Sequence, residues 1–134
     1  MNKLGDLSCN EFLTELASAA PAPGGGGGAA MAGALAAALA SMVANLTIGK
    51  EKFADREPEV KELLEQAEAE RVRLLTLVDE DAAVFNSFMS CYKLPKTTDE
   101  EKAARTAAIR AAAKQAATVP LNIARSSFAV LKLA

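Results

Sequence analysis

From Leu16 to Gly49 the chain runs through 34 residues without a single charge, and 20 of them are alanine or glycine. Such a stretch cannot build a core from large side chains, so it must pack by close approach of backbones. The whole chain shares this bias. It has 30 alanines in 134 residues, 4% aromatics and no tryptophan, a composition that favours helices in one domain-sized unit. Ala29 to Ile48 is long enough to cross a bilayer. However, only Met31, Leu35, Leu39, Met42, Val43, Leu46 and Ile48 are strongly apolar there, while Gly33, Ser41, Asn45 and Thr47 lie among alanines. Transfer to lipid would gain little. The expectation is therefore a helix packed inside protein, with no membrane partner.

There is no histidine, which excludes His-based triads and the common zinc motifs. A net charge of −2 gives no global attraction for nucleic acid. The charges are nonetheless segregated. Residues 51–101 carry 14 acidic and 7 basic side chains, whereas 102–134 carry six basic and none acidic, an arrangement that suits two segments packed together. Cys9 and Cys91 have no paired spacing, and the N-terminus has no cleavable signal pattern. These features point to a reducing cytoplasm.

Ser8 and Glu11 form a capping-box pattern ahead of Phe12, Leu13, Leu16 and Ala19, predicting a first helix to about Ala20. Pro21-Ala22-Pro23 and Gly24 to Gly28 then read as a loop leading into the Ala-rich second helix, which Gly49 ends. Its small residues suit the centre of a bundle or a subunit interface. Pro58 fits the first turn of a long third helix reaching about Tyr92. Val60, Leu64, Ala67, Leu74, Leu75, Val78, Ala82, Phe85, Phe88 and Met89 follow its helical period as a core stripe. Thr98 and Glu101 open a fourth helix, Pro120 breaks or restarts it, and Leu121 to Ala134 reads as a fifth segment. The fold class is all-α, a multi-helix up-and-down bundle with one long helix.

Glycine-rich loops before helices bind anions through exposed N–H groups, but here no Gly-Lys-Ser/Thr follows and a helix, not a strand, precedes. Phosphate-loop and dinucleotide readings are excluded; a connector and a close-approach site for a ligand both remain. Asp79-Glu80-Asp81 interrupts the apolar stripe of the third helix. Asp81, three residues after Val78 and four before Phe85, shares their inward face, while Asp79 and Glu80 point further outward. A carboxyl group there serves either proton transfer or a structural pairing. Lys50 and Lys52 follow the second helix, where cations favour its negative end. Lys93 and Lys96 bracket Leu94-Pro95 beside Tyr92, a basic turn able to hold an anionic ring-bearing ligand or simply to face solvent.

These residues together carry a resemblance. Phe12-Leu13 with Leu16-Ala17-Ser18, Pro21-Ala22-Pro23-Gly24-Gly25-Gly26, and Ser41 through Lys50 come first in order. Leu77 through Ala82, Lys93-Leu94-Pro95-Lys96, Glu100-Glu101-Lys102 with Arg105, and Val119-Pro120-Leu121 follow. The chain resembles the cyclodeaminase/cyclohydrolase family of folate one-carbon enzymes over nearly its whole length. The resemblance implies an all-helical homodimer that acts, without metal or cofactor, on the one-carbon unit between N5 and N10 of tetrahydrofolate. It implies that Asp81 is the catalytic acid/base and that Lys50 holds charged groups of the substrate. Pro23, Gly24, Gly25 and Gly26 would line the folate pocket, with Asn45, Lys93 and Lys96 as further binding residues. In two respects the chain departs from the family pattern. Gly27 stands where the family usually has serine, and family domains continue several tens of residues past Ala134, so residues 1–134 read as a single domain lacking that C-terminal part. The alternative to an enzyme is a non-catalytic helical module that binds folate or a partner subunit.

Overall fold

The computed structural model describes residues 3–134. Four α-helices carry the fold: α1 (Cys9–Leu16), α2 (Gly25–Thr47), α3 (Glu57–Cys91) and α4 (Asp99–Leu133). Short 3-10 turns at Leu4–Asp6 and Glu51–Arg56 precede α1 and α3, and no strand occurs among the described residues. Helices α2, α3 and α4 run alternately up and down, with α3 about 52 Å long at 1.5 Å per residue.

Both predicted capping boxes form. The Ser8 and Thr98 side chains accept from the Glu11 and Glu101 N–H groups, and each glutamate reaches back to its cap. Pro58 occupies the first turn of α3, and Gly49 takes the left-handed conformation (φ 78°) just beyond α2. Three expectations are corrected. Helix α1 ends at Leu16 rather than near Ala20, because the Ser18 hydroxyl donates to the Glu15 carbonyl and accepts from the Ala20 N–H, a local alternative to the helix. Gly25–Gly28 are not loop but the first turn of α2, with Gly24 as its cap. Pro120 does not break α4, which runs unbroken for 35 residues, so there is no separate fifth helix.

The core is built where three helices meet. Ala30, Ala34 and Ala37 of α2 face Leu74, Leu77 and Val78 of α3 and Val119, Ile123 and Val130 of α4, with Phe12 of α1 closing one end. Gly33 sets how closely they approach. A Cβ there would lie 2.9 Å from Ser127 Oγ and 3.1 Å from Leu74 Cδ1, so α2 needs a residue without a side chain at this crossing. Polar groups tie the same helices. The buried Ser41 hydroxyl donates to Glu68 Oε1 (2.7 Å), and Arg71 forks onto Glu68, its Nη2 donating to Oε2 at 2.7 Å. The Arg71 guanidinium, helped by that hydroxyl, holds Glu68 down to about 2.

The predicted stripe of α3 is buried only in its middle. Phe85 and Met89 are exposed, because α2 begins level with Asp81 and leaves the last turns of α3 covered by α4 alone. The molecule is thus a three-helix body with a two-helix arm. Helix α2 is also half uncovered. Leu35, Leu39, Met42, Val43 and Leu46 form an exposed apolar face, with Leu35 at 64% exposure. By length and composition alone this helix could cross a membrane. Its other face, Ala30-Ala34-Ala37-Ser41-Ala44, is packed in the body.

Candidate functional site

Asp81 leaves α3 at the level where α2 starts. Its Oδ2 accepts the Gly27 N–H at 3.0 Å, one of the first-turn donors that no helical carbonyl can reach. The carboxyl group therefore sits on the positive end of α2, in contact with its backbone. Glycine is what permits this. A Cβ on Gly26 would collide with the whole carboxyl group, lying 2.6 Å from its Cγ. The five-glycine run is thus explained in part by a carboxylate that occupies the space of a missing side chain.

Beside this pair opens a cleft of about 350 Å³. It is lined by Gly24, Gly25 and Gly26, by Asp81, Val84 and Phe85 of α3, and by Ala116 and Pro120 of α4. Asp81 is the only charged side chain in that lining. With Oδ2 engaged by Gly27, Oδ1 remains available to a ligand. Such an arrangement presents one oriented acid/base oxygen and backbone N–H donors within an otherwise apolar wall, a setting for proton transfer on an uncharged ring system.

The structure joins some of the sequence-derived candidates and separates others. Gly24, Gly25, Gly26 and Asp81 converge on the cleft. Pro23 does not line it; it is buried behind the turn, 3.4 Å from where a Gly27 Cβ would stand, and Pro21 takes its place at the cleft. Gly27 supplies its backbone N–H to Asp81. Asn45 and Lys50 are exposed at the other end of α2, about 33 Å along its axis from Gly25. Lys93 and Lys96 lie exposed in the turn at the tip of the arm, more than ten residues beyond Asp81. There Arg105 stacks over the Tyr92 ring at 5.5 Å, and Phe88 meets that ring edge-on at 5.3 Å.

Asp79 has a structural partner of its own: its Oδ1 accepts the Leu4 N–H at 2.6 Å and pins the N-terminal turn to α3. Sequence reasoning missed Phe85 as a cleft wall, having placed it in the core, and assigned Pro120 no place at the site, having read it as a breaker and as part of the Val119-Pro120-Leu121 motif. A proline inside an alanine-rich helical pattern without a neighbouring glycine was the available signal. Among the described residues no three His, Cys, Asp or Glu side chains converge as a metal site.

An all-helical bundle with a helix-capped carboxylate beside a proline- and glycine-lined cleft defines the class. Residues 8–134 match the family model described as formiminotransferase-cyclodeaminase. The chain belongs to this family. It is 49% identical over 130 residues to a methenyltetrahydrofolate cyclohydrolase of Methylorubrum extorquens, covering 97% of this chain and 62% of that protein. It is 40% identical over 121 residues to a formimidoyltransferase-cyclodeaminase of Rattus norvegicus, covering 90% of this chain and 22% of that one. The crystal structure of a formiminotetrahydrofolate cyclodeaminase from Thermotoga maritima superposes with a TM-score of 0.65 at 29% identity, covering 98% of this chain and 76% of that one. The chain therefore spans less than two thirds of the length of the first two relatives.

Proposed function

We propose that the protein is a folate one-carbon enzyme acting at the bridge between N5 and N10 of tetrahydrofolate, as a cyclodeaminase or a cyclohydrolase. The observation that carries this reading is the Asp81 carboxyl group, held by the Gly27 N–H and lining a mostly apolar cleft. The names of the relatives support the substrate class. In cyclodeamination N10 attacks the formimidoyl carbon. Asp81 takes the N10 proton and returns it to the departing nitrogen, which the substrate already carries protonated as N5–CH=NH2+, so the carbon–nitrogen bond breaks, ammonia leaves and the 5,10-methenyltetrahydrofolate cation forms. In cyclohydrolysis water attacks the cationic methenyl carbon, Asp81 takes one water proton and passes it to N5 as the carbon–N5 bond breaks, the second water proton is released to solvent as the formyl C=O forms, and 10-formyltetrahydrofolate results. Both reactions pass through one tetrahedral carbon. A single carboxyl group serves both proton transfers, and no histidine is needed.

Self-association belongs to the same proposal. Gly25, Ala29, Ala32, Leu35, Leu39, Met42 and Leu46 recur at helical spacing along the uncovered face of α2, beginning at the cleft. Two such helices pairing antiparallel in a twofold dimer would cover this face. That pairing would also carry the Asn45–Lys50 end of one protomer towards the cleft of the other, where Lys50 would meet charged groups of the substrate. Incubating the purified protein with 5-formimidoyltetrahydrofolate and with 5,10-methenyltetrahydrofolate separately, while following ammonia and methenyl absorbance, tests the reading. Turnover of one of the two is expected; no rate above background in either assay overturns the enzyme reading.

A further inference from the structure

Pro120 lies inside α4, not at its end. It has no N–H to give the carbonyl one turn earlier, so the Ala116 oxygen lacks its regular helical partner. Both residues line the Asp81 cleft. The other side chains there, Pro21, Ala82, Val84 and Phe85, carry no polar atom, so apart from Asp81 only main-chain groups can meet a polar ligand, and within α4 the Ala116 carbonyl is the one whose helical donor the proline removes. Phe85, 40% exposed, adds a flat apolar surface to the same lining.

We infer that Pro120 is a positioning residue for the ligand: by withholding an N–H it keeps the Ala116 carbonyl open as a fixed acceptor for the exocyclic amino group of the pterin ring. A helix-interior proline costs stability, and its place in the cleft lining gives that cost a use. The inference rests on the folate reading and adds which part of the substrate is recognised away from the reacting carbon. The acceptor is neutral, so its contribution does not vary with pH.

Pro120→Ala returns the N–H to the helix and closes the bond to Ala116. The thermal midpoint should rise, while Kd for 5-formyltetrahydrofolate and KM for the turned-over folate should each rise about tenfold with kcat within about twofold. Comparison with a 2-desamino folate isolates the contact. The unaltered protein should bind that analogue about tenfold more weakly than the parent folate, and Pro120→Ala should bind the two alike. Pro120→Ser, which also restores the N–H, gives the same comparison should the alanine variant fold poorly. If the variants discriminate between the two folates as the unaltered protein does, the inference is overturned while the folate reading stands. If the unaltered protein binds no folate, both fall.

Discussion

Replacing Gly26 by alanine adds one methyl group at the point where the backbone of α2 and the Asp81 carboxyl group touch. The new Cβ would stand 2.6 Å from Asp81 Cγ, against an ordinary carbon–carbon separation of about 3.5–4.0 Å. Roughly 1 Å must be found. The obstructing atoms end a short side chain, so the carboxyl group swings aside and α2 itself need not move. Alanine then contributes up to about 1 kcal/mol of helix propensity. Loss of the charge-assisted bond from the Gly27 N–H costs about 1.5–3 kcal/mol. The net is a modest destabilisation of about 0.5–2 kcal/mol, measurable by urea unfolding. Turnover should suffer far more, since a catalytic group misplaced by about 1 Å loses on the order of 10²-fold. Gly28→Ala is the control, because it lies outside the cleft lining and a Cβ there meets only the end of the Leu16 side chain, at 3.3 Å. Near-normal turnover in Gly26→Ala, with Gly28→Ala equally active, would refute the claim that this contact positions the reacting group.

Asp81→Asn preserves volume and helix geometry but removes the exchangeable proton, so turnover should fall about 10²-fold or more while far-UV circular dichroism is unchanged. Asp79→Asn should leave turnover intact and loosen the N-terminal turn, read as faster hydrogen exchange at Leu4. Glu68 is held below its unfolded value, so its contribution to stability is complete above about pH 4.5 and is lost as pH falls towards 2. Thermal midpoints across that window should drop less steeply for Glu68→Gln than for the unaltered protein. Light scattering at micromolar concentration should give a dimer mass, and Leu39→Glu, on the exposed face of α2, should shift it to monomer; a monomer before substitution removes the proposed pairing.

Much of the bundle could be read from local chemistry. Capping boxes at Ser8 and Thr98 act within four residues, and Pro58 and Gly49 act through their own dihedral limits, so each boundary was legible without knowing the partner helix. What failed was set by distant groups. Gly25–Gly28 are helical because Asp81, 54 residues beyond Gly27, receives a first-turn N–H, and glycine propensity carries no trace of that acceptor. Pro120 stays helical because α4 is held on both sides of it in the core, by Val119 just before and by Ile123 and Val130 after. Phe85 kept the periodicity of a core residue, yet periodicity cannot tell where a neighbouring helix starts. At the site, the stripe made the inward position of Asp81 legible, where it meets the Gly27 N–H. The separation of Lys50 and Asn45 from it follows only from the direction in which α2 runs.

The glycine turn at the head of α2 also sets an order of events. Four consecutive glycines in a helical turn cost about 4 kcal/mol relative to alanine, so this turn does not nucleate helix by itself. The alanine-rich turns that follow form first and dock on α3; only then is Asp81 in place to draw the glycines into register. The reverse is equally accessible. Gly25–Gly28 can uncoil while Ala30, Ala34 and Ala37 remain packed, a sub-global opening that releases the carboxyl group and widens the cleft without disturbing the body. A ligand that bridges Asp81 and the glycine backbone would close that opening, so slowed amide exchange at Gly25 and Gly26 would report occupancy of the cleft before any turnover is measured.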